Sequence, residues 1–289
     1  MKIAVASGKG GTGKTFVATN LFHVLSQHGN TVTLTDCDAE APDALLFFTA
    51  EKVSSSEVTH LVPVINKDAC TFCDRCSRWC NYNAIFSIPP ARVIEVIETL
   101  CHGCGACSFA CNAGAITEKP VALGTVSSFR YADNAMIIES RMRVNEMSPV
   151  RVIKAAIKET GGEGIVILDS PPGTSCPFVQ TVDAADYVVL VTEPTPFGLS
   201  DLRQSVETLN AIKKKYGVVI NRADIGDNGV ADYLAENGIP LLMEIDYDQD
   251  IARIYSEGRL SAKEMPEIAE SFEILADKII RDGTGGYQR

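Results

Sequence analysis

Ile3-Ala4-Val5-Ala6, followed by Gly8-Lys9-Gly10-Gly11-Thr12-Gly13-Lys14-Thr15, decides the architecture of this chain. Four consecutive apolar residues make a short strand buried on both faces. Past the glycines, Val17, Leu21, Val24 and Leu25 recur at helical spacing, and Gly29 closes that helix. A strand, a glycine-rich turn of the form G-x-x-x-x-G-K-T and a helix together make a phosphate cradle. The amides of Gly10, Gly11, Thr12, Gly13 and Lys14 face the phosphates at a helix N-terminus. Lys14 neutralises the β- and γ-phosphates, and the Thr15 hydroxyl takes Mg²⁺.

The same rhythm continues downstream. Thr31–Thr35, Ile165–Leu168, Tyr187–Thr192, Val218–Ile220 and Leu241–Ile245 read as further buried strands. Helical patterns lie between them. One is capped by Ser148-Pro149 and ended by Gly161-Gly162; Leu199, Leu202, Val206, Leu209 and Ile212 stripe another; Ile268, Phe272, Leu275 and Ile279 stripe the last. Continuous apolar strands alternating with helices predict an α/β fold, a mostly parallel sheet with helices on both faces. Asp36-Cys37-Asp38 ends the second strand, and strand alternation puts the two aspartates on one face and Cys37 on the other, in the core.

A different pattern interrupts this rhythm. Cys70, Cys73, Cys76 and Cys80 read C-x-x-C-x-x-C-x-x-x-C, and Cys101, Cys104, Cys107 and Cys111 repeat it 31 residues later. The repeat extends beyond the cysteines, since Cys80-Asn81-Tyr82-Asn83-Ala84-Ile85 parallels Cys111-Asn112-Ala113-Gly114-Ala115-Ile116. This spacing is the signature of two [4Fe–4S] clusters in which the fourth cysteine of each run serves the other cluster. Cys70, Cys73, Cys76 and Cys111 are therefore expected to hold one cluster, and Cys101, Cys104, Cys107 and Cys80 the other. Zinc, the competing reading, takes paired C-x-x-C arms rather than three close cysteines and a distant fourth. Asn81 and Asn112 stand where a proline usually follows the fourth cysteine, and each adds an amide donor. Trp79 and His102 lie inside the cysteine loops, as packing residues or as shields for a cluster. The expected organisation is 1–61 and 119–289 as the two parts of a nucleotide-binding domain. Residues 62–118 form a small α+β insertion after the second strand and a helix, too small to bury much core without its metal.

Composition sets outer bounds. The 289 residues suggest about two domains. A net charge of -11 argues against nucleic acid and against an anionic membrane surface. No apolar run approaches the roughly 18 residues of a membrane span, and the N-terminus does not read as a signal peptide. Cysteines in ligand spacing imply reduced thiols and a cytoplasmic location.

Lys9 gives the loop a finer identity. K-G-G-x-G-K-T resembles the deviant Walker A loop of the MinD/Mrp ATPases and the nitrogenase iron protein superfamily, and the cysteine segment resembles an inserted bacterial-type dicluster ferredoxin. The first resemblance implies a homodimer with two ATP molecules sandwiched between subunits, Lys9 crossing to the partner's nucleotide. It implies that Asp38 is the switch aspartate that orients water and helps hold Mg²⁺, although a helix-capping role would also suit it. It further implies that Asp169, in Asp169-Ser170-Pro171-Pro172-Gly173, binds Mg²⁺, that the Gly173 amide senses the γ-phosphate, and that Asn221 reads the base. Asn221-Arg222-Ala223-Asp224 also looks like a guanine-reading loop; the Lys9-type loop favours ATP. Glu193-Pro194-Thr195 and Pro240-Leu241 fall where family base-pocket loops lie. Catalysis would be electrostatic, from Lys14, the partner's Lys9, Mg²⁺ and amides, with Asp38 on the water.

Three functions follow as expectations. The first is nucleotide-gated electron transfer to a redox partner by a slow, dimer-dependent ATPase. The second is an iron–sulfur carrier or assembly factor that serves an apo-protein partner. The absence of a C-x-x-C pair outside the insertion weighs against it. The third is a positioning ATPase with a redox sensor, against which the segment Glu267–Arg281, acidic early and without a basic stripe, and its Gly283-Thr284-Gly285-Gly286 tail argue. Cys176, seven residues after Asp169, matches the position of a cluster ligand in the nitrogenase iron protein. It is expected to be a half-buried thiol near the dimer interface, with a shared labile cluster as the lesser alternative.

Overall fold

The computed structural model describes residues 1–284. Its elements run β1 (Lys2–Ala6), α1 (Lys14–Gln27), β2 (Val32–Asp36), a 3-10 turn (Ala44–Phe47), β3 (Glu51–Ile65), α2 (Arg75–Arg78), β4 (Ile85–Ile88), β5 (Val93–Val96), α3 (Ala106–Ala110), β6 (Ile116–Ala132), β7 (Ala135–Met142) and α4 (Val150–Glu159). Then come β8 (Ile165–Asp169), α5 (Cys176–Asp183), β9 (Tyr187–Thr192), α6 (Pro196–Ala211), β10 (Lys215–Asn221), α7 (Gly229–Glu236), β11 (Leu241–Ile245), α8 (Gln249–Ser256), α9 (Ser261–Glu264) and α10 (Pro266–Gly283).

Nine strands form one sheet in the order β11-β10-β9-β1-β8-β2-β7-β6-β3. Every neighbouring pair from β11 to β7 is parallel, and β6 alone runs against the rest. β1, β2, β8 and β9 are buried almost end to end, and β1, β8 and β9 accordingly carry continuous apolar runs. One face packs on α1 and α10 through Phe16, Leu21, Phe22, Phe272, Leu275 and Ile279. The other packs on α4 to α7 through Val152, Ile153, Phe178, Val182, Leu202 and Val230. All six expected strands are present, and the α/β fold with a mostly parallel sheet stands.

Three strands of this sheet, β3, β6 and β7, were not expected. β3 and β6 form one antiparallel ladder from Glu51↔Arg130 to Ile65↔Ile116, and β6 joins the sheet through β7. Residues 51–57 of β3 are all exposed, so no apolar alternation marks the strand. Ser54-Ser55-Ser56 instead reads as loop. Its charges and its two irregularities in register blunt an open sheet edge. The expected boundaries at 61/62 and 118/119 fall inside these strands rather than in linkers. The cysteine segment is carried on a hairpin continuous with the main sheet. The helix expected between β2 and that segment is only the 3-10 turn Ala44–Phe47. The last five residues of the 119–289 segment lie outside the described residues.

At the hairpin's far end, β4 and β5 pair in a separate two-stranded sheet. α2 and α3 begin after left-handed residues, Asp74 (φ 62°) and Gly105 (φ 74°), so the sequence repeat is also a conformational one. Among the described residues the core here is Phe72, Cys76, Ile85, Ile94 and Cys107 with a few partly buried neighbours.

Candidate functional site: a nucleotide loop and two cysteine cradles

Residues Gly8–Thr15 link β1 to α1 at the carboxyl edge of the sheet, where open α/β sheets bind ligands. Gly13 caps α1 with φ 97°, and a Cβ there would collide with Asn221 Nδ2. That contact is constructive, because Asn221 Nδ2 donates to Thr12 O at 2.9 Å and fixes the end of β10 against the loop. Gly8 likewise lies so close to the Asp201 backbone that no side chain fits. Lys14 is buried, and Gly10 and Gly11 are open to solvent or nearly so.

Four acidic groups gather beside Lys14 and Thr15. Asp36 and Asp169 are partners in the β2–β8 register, and each is about 1% exposed. Burial, and next the neighbouring Asp169, push the Asp36 carboxyl well above its ordinary value. Amides of Asp38 (3.0 Å), Asp43 (2.9 Å) and Ala44 (2.9 Å) donate to it. Asp36 is thus the organiser of the loop that carries Asp38, a role the sequence did not disclose. Asp38 is half-buried and caps the turn to Ala41 through Oδ1 at 3.4 Å. Burial raises Asp169 to about 7, although Lys14 and the Thr15 hydroxyl oppose the rise. Asp169 Oδ1 is buried with no hydrogen-bond partner among the described residues. Asp43 was not foreseen. Burial raises its carboxyl, while Thr15 and Lys14 pull it down. An orphaned buried carboxylate oxygen on Asp169 beside the Thr15 hydroxyl offers oxygen donors of the kind Mg²⁺ takes. Cys37 is fully buried, as strand alternation requires.

The Gly173 amide donates to Ser7 O at 3.1 Å, so in this conformation it is engaged within the chain rather than free for a phosphate. Lys9 also turns inward. Its Nζ lies 3.3 Å from Glu193 Oε2, and Arg222 Nη1 lies 2.5 Å from Glu193 Oε1.

A cavity of about 320 Å³ adjoins the loop. It is lined by Gly11, Gly13, Phe16 and Asn221, by Asp246-Tyr247-Asp248 after β11, and by Tyr255. Pro240-Leu241, expected here, opens β11 at the opposite edge of the sheet. The loop that lines the cavity is the one leaving the strand's carboxyl end. Asp224 Oδ1 accepts the Tyr247 amide at 2.6 Å. The carboxylate of the guanine-like Asn221-Arg222-Ala223-Asp224 run is therefore occupied in holding that loop.

The eight patterned cysteines sort into two groups. Cys70, Cys73, Cys76 and Cys111 line one cavity. Cys80, Cys101, Cys104 and Cys107 line another. Amides reach three of the sulfurs: Phe72 N to Cys70 and Gly103 N to Cys101 at 3.4 Å, and Ala84 N, rather than Asn81 N, to Cys80 at 3.3 Å. Cys73 is held below its ordinary value by the Arg75 amide and then the Thr71 hydroxyl. Burial pushes Cys76, Cys101 and Cys107 up. Among the described residues no three His, Cys, Asp or Glu side chains converge on a single-ion position. Sulfurs spread around a void, with amides aimed at them, fit a polynuclear cluster better than one zinc ion. His102 lines the second cavity and stacks on Tyr82 at 3.8 Å. Trp79 lines neither cavity and leans on Phe109. Cys176 is exposed rather than half-buried.

The strand–loop–helix, the acids at two strand ends and the cavity beside the loop define a P-loop nucleotide-binding domain. Residues 3–261 match the model of the CobQ/CobB/MinD/ParA nucleotide binding domain, and the chain belongs to that family. An uncharacterized protein of Methanocaldococcus jannaschii is 30% identical over 97% of this chain and 98% of its own length. An iron-sulfur cluster carrier protein of Aquifex aeolicus is 44% identical over 95% of this chain and 65% of its own. The solved structure of the septum site-determining protein MinD of Pyrococcus horikoshii, complexed with Mg-ADP, shares the fold. Its TM-score is 0.61 at 20% identity, over 98% of this chain and 97% of that one. No helix among the described residues is long and apolar enough to cross a membrane.

Proposed function

We propose that this protein is an ATP-binding, slowly hydrolysing dimer that carries two [4Fe–4S] clusters and passes electrons to a redox partner under control of its nucleotide. The observation that carries the proposal is the sorting of eight cysteines into two four-cysteine cavities on a hairpin continuous with the nucleotide-binding sheet. Thr15, Asp169 and Asp38, with Asp43, supply the oxygen donors for Mg²⁺. Lys14 and the loop amides hold the phosphates and offset charge that builds on them. Asn221 and the cavity beside it take the base. Adenine is favoured because Asp224 is engaged by the Tyr247 amide and is not free to read guanine. Lys9 rests on Glu193 in the single chain and would be released to a partner's nucleotide on dimerisation.

When bound, the clusters supply one-electron transfer. The chain's part is to hold them with Cys70, Cys73, Cys76 and Cys111, and with Cys101, Cys104, Cys107 and Cys80, in a reducing, cytoplasmic setting. The test is an anaerobically reconstituted sample, assayed for iron and for electron delivery to an artificial acceptor with Mg-ATP and with Mg-ADP. About eight irons per chain and a rate that depends on the nucleotide are expected. Equal rates in both states would remove the gating.

The name of the Aquifex relative supports a second reading, a cluster carrier. Outside the cradles the chain has only buried Cys37 and exposed Cys176, so a cluster shared across a dimer would have two thiolates from the pair. Transfer of iron and sulfide to an apo-ferredoxin, with loss from this protein, would favour that reading.

A further inference from the structure

The two cradles repeat one another, and one contact from outside the cysteine segment breaks the repeat. Phe72 and Gly103 occupy equivalent places, two residues past the first cysteine of each run. Both have a left-handed backbone (φ 55° and 59°), and both donate their amide to that cysteine's sulfur at 3.4 Å. The carbonyl of the Thr71–Phe72 peptide accepts from no side chain among the described residues. The carbonyl of the His102–Gly103 peptide accepts from Arg151 Nη2 at 2.7 Å, and Gly103 O lies 3.4 Å from the same nitrogen.

Arg151 does not belong to the cysteine segment. It sits in the first turn of α4, whose Val152, Ile153 and Ala156 share a core with Phe178 and Val182 of α5. α5 opens at Cys176, three residues after Gly173. The loop that Arg151 grips has no slack on its other side. A Cβ on Gly103 would come within 3.0 Å of Leu61 O and 3.2 Å of His60 Cβ. Arg151, His60 and Cys176 line one cavity of about 390 Å³ between the second cradle and the nucleotide-binding body.

We propose that Arg151 is a positioning residue that sets the Cys80/Cys101/Cys104/Cys107 cradle apart from its twin and ties it to the nucleotide loop. The inference rests on the reading that each cradle holds a cluster. A guanidinium on the His102 carbonyl polarises that peptide and strengthens its N–H bond to Cys101 Sγ. It also places a positive charge beside the second cradle, which Glu118 lines as well, while Arg75 and Arg78 stand beside the first. A reduced cluster is the more negative form, so both effects favour reduction there, and net charge and hydrogen bonds to sulfur are what set such potentials. Arg151 thus raises the potential of the second cradle, and that cradle is the one that feels Gly173, through α5, α4 and Arg151.

The test is an anaerobic redox titration of the full chain followed by electron paramagnetic resonance, on the wild type, R151K and R151Q, without nucleotide and with Mg-ADP or Mg-ATP. The wild type should show two midpoint potentials. R151Q should lower one of them and leave the other, with R151K between wild type and R151Q, at unchanged iron content and ATP affinity. Mg-ATP should move that same potential in the wild type and not in R151Q. If R151Q leaves both potentials alone, or displaces both alike, the assignment falls. If R151Q still responds to Mg-ATP, the route through Arg151 falls. A wild type whose potentials ignore nucleotide overturns gating and the route, while the nucleotide-free titration still decides the static role. A wild type without clusters overturns both this inference and the reading beneath it.

Discussion

Asp36 and Asp169 stand opposite one another in the parallel β2–β8 pair, both almost fully buried, and Asp169 adds to the cost of ionising Asp36. A divalent cation beside the pair would offset that repulsion.

The first prediction concerns this pair. Asp169 is raised from 3.8 to about 7. A carboxyl whose folded value exceeds its unfolded one destabilises the fold progressively as pH rises through that window, and fully above it. Without ligand at pH 8, Asp169→Asn should therefore be the more stable protein, by at most about 4 kcal/mol. The gain should shrink at pH 5. Mg-ATP should reverse the order, because the variant loses an ion ligand. Thermal melts at both pH values, with and without Mg-ATP, check this; a ligand-free variant melting below the wild type at pH 8 contradicts it.

A second prediction uses Gly13. Its left-handed backbone and its proximity to Asn221 both oppose a side chain. Gly13→Ala should weaken nucleotide binding by at least about tenfold, the backbone cost alone being roughly 1–2 kcal/mol. Adding Asn221→Ala removes the collision but not the backbone strain, so titration with a fluorescent ATP analogue should find the double variant still weak. Full recovery would mean that only the collision mattered.

The crossed cradles can be tested by pairing cysteine variants. Cys70→Ala with Cys111→Ala removes two residues from one cavity and should leave about four irons and one intact signal. Cys70→Ala with Cys80→Ala strikes both cavities and should disturb both signals. Identical iron content and spectra from the two double variants would refute the crossed assignment.

Glu193 holds Lys9 and Arg222 at once. Since Lys9 is partly exposed, that pair is worth roughly 0.5–1 kcal/mol. Glu193→Gln frees Lys9 for a partner's nucleotide, and ATP-dependent dimerisation should occur at about two- to fivefold lower protein concentration. Sedimentation velocity across a concentration series measures this. A dimer that forms less readily than wild type would assign Glu193 a direct part in the interface.

The parallel core was legible because its strands are buried on both faces and so are written as apolar runs. The cysteine groups were legible because ligand spacing is local. β3 was hidden because an exposed edge strand such as Ser54-Ser55-Ser56 carries no apolar alternation. Asp43 and Asp36 were passed over for another reason. Their importance lies in a loop folding back on itself over seven or eight residues, and in a neighbour 133 positions away in sequence. The Pro240-Leu241 expectation came from knowing the strand but not which of its ends faces the cavity.

The hairpin of β3 and β6 has a mechanical consequence. From Leu123 to Ile116, β6 runs on past its last partner in β7, Met142, a reach of roughly 26 Å at about 3.3 Å per residue. A tilt of about 5° at the root would swing the tip by roughly 2 Å. The chain thus has the shape of a lever: a stiff arm with a short throw at the fulcrum and a longer one where a second protein would meet it.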